Sequence, residues 1–290
     1  MSNPLNPQSL SDATLEWIFV VDTLNFSFWP EDPAVPFTVE YKDKSYTNYW
    51  SLCAAINRAL EEGIAITDPA YYATITMEQL QHVFRSSTAT PIPLLNERLA
   101  ALHEAGTALV EHFDGKFANM LRLASHSADV LMRDVLKHMP MYRDRAAYHG
   151  VELCFYKRLQ ILVADIWACY DGKGDGYFSD IDLITMFADY RVPQALVHLG
   201  ALEYSPALLE RLKRHELMLS GDPDEVEIRG CSIWVVELIR ARIAVILREE
   251  DPRRPPPNAI QIDFFLWDLA QEFREQMKRV PIHLVRSAFY

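Results

Sequence analysis

The sequence contains little glycine and few cysteines, with 10 glycines and four cysteines among 290 residues. The cysteines are widely spaced and form no CxxC pair, which argues against a disulfide framework or a structural zinc site. The nine histidines include no HExxH pair, so we expect no bound metal and no cofactor. Proline is common, at 17 residues, and falls mostly between periodic segments. This balance favours a mainly α-helical protein over a β-rich one.

The sequence also lacks an uninterrupted apolar run of membrane-spanning length. The most apolar late stretch, SIWVVELIRARIAVIL, is broken by Glu237, Arg240 and Arg242, which indicates a helix of a globular protein. The first ten residues, MSNPLNPQSL, lack the charged-then-apolar order of a signal peptide. We therefore expect a reduced, cytoplasmic protein with no membrane partner.

Basic residues are fewer than acidic ones, with 28 lysines and arginines against 40 aspartates and glutamates. The formal net charge is −12 and the isoelectric point is about 5.2. A protein that grips a long phosphate backbone normally presents a basic face, so we expect no stable nucleic-acid partner. A small molecule is the more natural ligand for such a chain, because a local basic pocket can still hold one phosphate group.

Half of the residues are hydrophobic, which is enough to build a sizeable core. Apolar residues at helical spacing predict helices, including one that Gly63 ends, one that Thr76 caps, and others over 94–113, 127–139, 151–170, 230–249 and 260–279. Residues 37–47 alternate as a small β-hairpin does, whereas residues 15–21 fit either a short strand or a buried helical turn. We predict one helical domain over 1–290, with residues 1–14 as an extension.

A compact polar group interrupts the stretch TMFADYRVPQALVHLG at residues 185–200. Asp189, Tyr190, Arg191 and Gln194 stand among residues that otherwise look buried. Asp189 could cap the helix that follows, and Pro193 in a first helical turn fits that interpretation. A cap accounts for only one of the four polar side chains, so a ligand-binding role stays open for the group.

Two further charged residues and one aromatic run are open to similar alternatives. Lys157 shares a helical row with apolar residues, so it either extends to solvent or faces a pocket carboxylate. Asp263 precedes an aromatic helix and is first of all a cap candidate. The run TLNFSFW brings Asn25, Phe26 and Phe28 together, either as core or as a surface that stacks on a heterocycle.

Six stretches in this order resemble the queuosine salvage protein family, the queuosine 5′-phosphate N-glycosylases: FVVDTLNFSFW, YTNYWSLCAAINRALEEGIAIT, FYKRLQILVADIW, MFADYRVPQALVHLGALEYS, VEIRGCSIWVVELIR and IDFFLWDLAQ. The resemblance runs from about residue 15 to the C-terminus. It implies a helical fold related to helix-hairpin-helix DNA glycosylases. It also implies hydrolysis of the N-glycosidic bond of queuosine 5′-monophosphate, which releases queuine for reuse in tRNA.

The resemblance assigns roles to residues by motif match. Asp189 of FADYR and Lys157 of FYKR become catalytic candidates, and Asp263 becomes a third by analogy with the placement of an aspartate before a helix in those glycosylases. The candidates for binding the base, ribose or phosphate of the substrate are Asn25, Phe26, Phe28, His82, Arg158, Tyr190, Arg191, Gln194 and Trp267.

Two other functions compete with this hypothesis. A base-excision glycosylase acting on DNA would follow from fold analogy alone, and the acidic charge argues against it. A helical binding protein for queuosine nucleotides or tRNA would need no carboxylate at the anomeric carbon. Asp189 and Lys157 discriminate between the two, because an enzyme needs them for catalysis and a pure binding protein does not.

Overall fold

The structure is a computed structural model that describes residues 3–290. Most of its regular structure is helical. The helices are α1 (Asp12–Thr23), α2 (Tyr49–Glu61), α3 (Pro69–Tyr72), α4 (Met77–Val83), α5 (Leu95–His112), α6 (Phe117–Leu123), α7 (Ala128–His138), α8 (Lys157–Cys169), α9 (Arg191–His198), α10 (Pro206–Lys213), α11 (Pro223–Glu250), α12 (Ala259–Glu272) and α13 (Arg274–Met277).

Six short strands form three two-stranded ladders within the described residues: β1 (Thr38–Tyr41) with β2 (Lys44–Thr47), β3 (Arg145–Tyr148) with β4 (Val151–Cys154), and β5 (Leu217–Met218) with β6 (Leu284–Val285). The first two ladders are antiparallel hairpins and the third is parallel. The prediction of a mainly helical protein with a small hairpin near the N-terminus is therefore confirmed. No helix in the part of the chain from residue 3 onward is long and apolar enough to cross a membrane.

The chain forms two compact units. The first unit comprises the described residues up to Arg143, with Ile161–Ser179 and Phe289. The second unit comprises Asp144–Gln160, Asp180–Ala288 and Tyr290. This division does not test the prediction of one domain over 1–290, which stays a prediction.

Helix α1 lies at the centre of the first unit, where residues 14–23 are all buried. Residues 15–21 are thus helical, and the strand alternative is wrong. The Glu16 carboxylate accepts hydrogen bonds from the backbone N–H groups of Phe117 and Ala118, at 3.1 and 3.0 Å, and so caps the start of α6. The ring of Phe19 stacks on that of Phe117 with centroids 4.4 Å apart. A buried carboxylate and an aromatic pair therefore fix α1 against α6.

Several local predictions are confirmed by the contacts that cause them. Lys42 and Asp43 both have positive φ, as the tight turn of the β1–β2 hairpin requires. The Thr76 side chain accepts a hydrogen bond from the Gln79 N–H, and the Gln79 side chain accepts one from the Thr76 N–H, which makes a capping box at the start of α4. Helix α7 ends at His138, two residues before Pro140, close to the predicted end at residue 139.

The prediction of one long helix over 151–170 is wrong in its first part. Residues 151–154 form strand β4, and the helix begins only at Lys157. His149 and Gly150 turn the chain with positive φ, and β4 pairs with β3 in register from Arg145–Cys154 to Tyr148–Val151. Tyr156 also has positive φ, which separates the strand from the helix.

The second unit has an apolar core built by α9, α11 and α12 with Phe155 and the segment before α9. Met186 and Ala188 are fully buried in this core. The polar group around Asp189 therefore follows directly on a segment that packing holds in place. The core residues are Phe155, Met186, Ala188, Val192, Ala195, Leu196, Val226, Val236, Ala259, Ile262, Leu266, Ala270 and Met277.

Candidate functional site

The Asp189 carboxylate lies at the junction between an extended segment and α9. Its Oδ1 accepts hydrogen bonds from the backbone N–H groups of Arg191 and Val192, at 2.7 and 3.1 Å. This oxygen caps the first turn of the helix, as one of the two sequence interpretations states. Asp189 is half-buried, and among residues 3–290 no hydrogen bond to its Oδ2 is found. One oxygen of the carboxylate is fixed by the backbone, and the other remains available to a ligand.

Asp263 holds the segment that leads to Asp189. It is buried on the first turns of α12, and its Oδ2 accepts a hydrogen bond from the backbone N–H of Phe187 at 2.9 Å. The cap of α12 is Asn258, whose side chain accepts from the Gln261 N–H, so the cap interpretation of Asp263 is wrong. Trp267, half-buried, lies one turn further along the same face of α12.

The other polar residues of the group join α9 to the chain after α13. The Gln194 amide nitrogen donates to the carbonyls of Met277 and Val280, at 2.8 and 2.6 Å. Its amide oxygen accepts a hydrogen bond from Arg191 at 3.2 Å, and the Arg191 guanidinium lies 5.3 Å from the centroid of the Tyr190 ring. Gln194 thus anchors α9 and orients Arg191.

Lys157 and Arg158 begin α8 and are both buried, with 5% and 1% of their surface exposed. The lysine side chain therefore does not extend to solvent, and that alternative is wrong. The backbone N–H of Lys157 donates to Asp144 Oδ2 at 3.1 Å. A helix leaves its first N–H groups without partners inside the helix, and Asp144 supplies one across the β3–β4 hairpin.

A buried ion pair lies beneath these elements. Arg229 on α11 binds Asp144 through both terminal nitrogens, Nη1 to Oδ1 at 3.0 Å and Nη2 to Oδ2 at 2.6 Å. It also donates to Glu225 Oε1 at 3.2 Å, while its Nε donates to the carbonyl of Ala188 at 2.9 Å. Burial alone would lower the pKa of Arg229, but Asp144, Tyr290 and Glu225 raise it overall, so the ion stays charged.

The same ion pair reaches the end of the chain. The Tyr290 hydroxyl donates to Glu225 at 2.8 Å, and its ring covers the Arg229 guanidinium at 4.1 Å. His283 lies 5.8 Å from the Tyr290 ring and is buried, and neither ring nitrogen has a hydrogen-bond partner among residues 3–290. Burial, together with the charge of Arg229, lowers the pKa of His283 to about 3. His283 is therefore neutral in the folded protein.

The twelve predicted site residues fall into both units. Four belong to the first unit: Asn25 and Phe26 are buried, Phe28 is half-buried, and His82 lies on the surface within 3.3 Å of Glu62. The Arg98 guanidinium covers the rings of Phe26 and Phe28, at 4.3 and 5.4 Å from their centroids. The other eight belong to the second unit.

Sequence reasoning missed the network of Asp144, Glu225, Arg229, His283 and Tyr290. Glu225 directly precedes the stretch VEIRGCSIW, which contains Arg229. An arginine in a helix usually lies on the surface, so spacing alone does not single out Arg229. No group of three or more histidine, cysteine, aspartate or glutamate side chains that could hold a metal ion occurs within residues 3–290.

The chain is similar to known proteins along almost its whole length. The family described as "Queuosine salvage protein" matches residues 5–290. The chain belongs to the queuosine salvage protein family. A Mus musculus protein named "Queuosine 5'-phosphate N-glycosylase/hydrolase" is 51% identical over 286 residues, which cover 99% of this chain and 85% of that protein.

Relatives of the same name extend well beyond mammals. The Schizosaccharomyces pombe protein is 44% identical over 100% of this chain and 86% of its own length. The Sphaerobacter thermophilus protein is 41% identical over 96% of this chain and 82% of its own length. Both units of the chain are thus included in the similarity, and so is every predicted site residue from Asn25 to Trp267.

Proposed function

We propose that this member of the queuosine salvage family hydrolyses the N-glycosidic bond of queuosine 5′-monophosphate and releases queuine for reuse in tRNA. The observation that carries the proposal is the near-full-length similarity to proteins named queuosine 5'-phosphate N-glycosylase/hydrolase, at 51% and 44% identity. The Asp189 carboxylate supplies a chemical group that such a reaction needs, because cleavage of a ribosyl bond develops positive charge at the anomeric carbon.

We assign to Asp189 the role of stabilising the charge at that carbon or activating water beside it. Its Oδ1 is held by two backbone N–H groups, and its Oδ2 is the oxygen that faces C1′ or activates water. Fixing the carboxylate before the substrate binds avoids reorganisation when charge develops. Asp263 supports this arrangement through its hydrogen bond to the Phe187 N–H, and we assign it a supporting part in catalysis.

The leaving base poses a separate requirement. Queuine is a 7-deazaguanine and lacks the N7 that many purine nucleosidases protonate, so negative charge must be stabilised at its carbonyl or ring edge. We assign donors for this purpose among Asn25, Lys157, Arg191 and Gln194. Gln194 contributes through Arg191, because its own amide nitrogen already donates to two carbonyls.

Binding of the remaining groups follows from charge and ring area. Cationic side chains bind a 5′-phosphate through charge-assisted hydrogen bonds, and the candidates are Lys157, Arg158, Arg191 and His82. Aromatic rings stack on a heterocycle, and the candidates are Phe26, Phe28, Tyr190 and Trp267. The scheme uses no metal or cofactor, only side chains of this chain.

We extend the proposal to fold relationship and setting. The mainly helical architecture is consistent with a relation to helix-hairpin-helix DNA glycosylases, with the chemistry transferred from DNA to a mononucleotide. We place the reaction in the cytoplasm, with queuosine 5′-monophosphate and queuine as the small-molecule partners and with no stable nucleic-acid or membrane partner.

Chromatography tests the proposal directly. The purified protein is incubated with queuosine 5′-monophosphate and, in parallel, with unphosphorylated queuosine. We expect queuine to appear from the nucleotide with the higher kcat/KM, since each charge-assisted contact to the phosphate contributes about 1.5–3 kcal/mol. Absence of queuine from the nucleotide would refute the enzyme activity. Equal kcat/KM for the two substrates would remove the phosphate site.

A further inference from the structure

One buried arginine connects the two segments that carry Lys157 and Asp189. Arg229 Nε donates to the carbonyl of Ala188, the residue before Asp189, at 2.9 Å. Its terminal nitrogens bind Asp144 at 3.0 and 2.6 Å, and Asp144 Oδ2 also accepts from the backbone N–H of Lys157 at 3.1 Å. A continuous series of hydrogen bonds therefore runs from the start of α8 to the chain beside Asp189.

Two carboxylates and two aromatic rings hold the guanidinium. Asp144 and Glu225 accept hydrogen bonds from its terminal N–H groups. The centroids of the Phe155 and Tyr290 rings each lie 4.1 Å from its central carbon. Only 1% of the residue is exposed, so water does not compete for these contacts. A planar ion held in this way defines the distance and orientation between the groups that it binds.

We propose that Arg229 is a positioning residue of the reaction, which sets the placement of Lys157 and Asp189 through Asp144 and the carbonyl of Ala188. The inference rests on the proposed function for its catalytic consequence. Both ends of the series are backbone groups, so Arg229 acts on the placement of the catalytic candidates rather than on the substrate. Small displacements of reacting groups cost large factors in rate, which makes such a residue measurable in kcat.

The first test replaces the guanidinium of Arg229 by an ammonium group, which keeps the positive charge. Arg229→Lys retains a cation, but a single ammonium cannot bind both oxygens of Asp144 in parallel and also reach Ala188. We expect kcat per folded molecule to fall by about 10–10²-fold, with a smaller change in KM. The matched control is Val236→Ala, which truncates a fully buried core residue on the same helix, α11. It should lower stability and leave kcat within about twofold of wild type.

A second variant tests whether the series acts as one unit. Asp144→Asn keeps the shape but puts an amide N–H against a donor, either Arg229 or the Lys157 backbone. We expect it to reduce kcat as Arg229→Lys does, and the double variant to lose little more than either single one, because the two remove the same connection. Independent, multiplying losses would contradict a single series. Asp144→Asn also serves as the test if Arg229→Lys does not fold.

A third measurement needs no substrate and separates the inference from the proposed function. Hydrogen exchange in Arg229→Lys should be faster than in wild type at residues 156–160 and 186–192, and Val236→Ala should not reproduce this pattern. Unchanged exchange in both segments would overturn the inference whatever the activity. An inactive wild-type protein with the expected exchange would instead refute the proposed function and leave the positioning of the two segments standing.

Discussion

Asp189 combines a structural and a chemical role in one side chain. Its Oδ1 caps α9 through the N–H groups of Arg191 and Val192. Asn is nearly as good at a helix start as Asp, so Asp189→Asn should preserve the cap and change stability by only a few tenths of a kcal/mol. If Oδ2 stabilises charge at C1′, kcat should fall by about 10²–10⁴-fold while binding of the nucleotide changes little.

The measurement is queuine release by purified Asp189→Asn, with circular dichroism to confirm folding. A folded variant with near-normal turnover would limit Asp189 to capping, and Asp263→Asn would be the next variant to assay. Asp189→Ala provides the control for the cap itself, because it removes both roles and should also lower the free energy of unfolding by about 1 kcal/mol.

His283 gives the protein a specific pH dependence of stability. An unfolded histidine titrates near pH 6.5, whereas burial lowers the pKa of His283 to about 3 in the folded protein. Above pH 6.5 both states are neutral and His283 contributes no slope. As the pH falls below 6.5, the unfolded state binds a proton that the folded state does not. The free energy of unfolding should then fall by up to about 1.4 kcal/mol per pH unit.

Urea unfolding between pH 5 and 8 measures this slope. His283→Phe keeps a ring beside Tyr290 and removes the titrating group, and it leaves no new unpaired polar atom because the ring nitrogens of His283 have no hydrogen-bond partner among residues 3–290. We expect similar stability to wild type at pH 8 and a shallower decline towards pH 5. An identical decline in both proteins would assign the acid sensitivity to other groups.

At the residue scale, the sequence indicates a functional residue when its neighbours along the chain are unusual, and it does not when they are ordinary. Asp189 stood out because four polar residues interrupt an apolar stretch. Arg229 did not, because one arginine in an amphipathic helix is expected on the surface, and only the fold brings Asp144 and Tyr290 to it. Contacts between residues 65 and 85 positions apart leave no pattern in the local sequence.

At the scale of elements, two helical glycines have opposite surroundings. A Cβ at Gly106 on α5 would lie 2.7 Å from the backbone oxygen of Pro69 and 2.7 Å from the backbone nitrogen of Ala73, whereas a Cβ at Gly230 on α11 would meet nothing within 4 Å. In a helix interior, alanine is more favourable than glycine by about 1 kcal/mol. Gly230→Ala should therefore raise the free energy of unfolding by about 0.5–1 kcal/mol.

Gly106→Ala should have the opposite effect, a loss of about 1–3 kcal/mol, because the backbone atoms it meets cannot move aside cheaply. Urea midpoints of the two variants against wild type provide the measurement. Stabilisation by both substitutions would mean that α3 and α5 do not approach as closely as the structure shows.

Elements with strong local determinants were predicted well. The capping box at Thr76, the turn at Lys42-Asp43 and the stop at Pro140 each depend on neighbouring residues. Strand β4 was misassigned because four residues are too few for a period to be read, and its stability comes from pairing with β3. The two-residue strands β5 and β6 pair across more than 60 positions and lay beyond any local pattern.

At the scale of the whole molecule, net charge separates the proposed reaction from its competitors. A chain of charge −12 that binds one nucleotide neutralises a single phosphate with a few cations. The logarithm of the dissociation constant for the nucleotide should therefore rise with the logarithm of salt concentration with a slope of about one or less. A protein that grips duplex DNA or tRNA through six to ten phosphates would lose about 10³–10⁵ in affinity between 50 and 200 mM salt.

The experiment uses Asp189→Asn, so that binding is measured while turnover is slow. Titrations with queuosine 5′-monophosphate, a queuosine-containing tRNA and a DNA duplex are carried out across that salt range. We expect a shallow slope for the nucleotide and weak binding of both polymers even at low salt. Tight binding of tRNA with a steep slope, together with weak binding of the nucleotide, would favour the tRNA-binding protein. The same result with the duplex would favour the DNA glycosylase, since either polymer would then be gripped through a basic surface despite the acidic average of the chain.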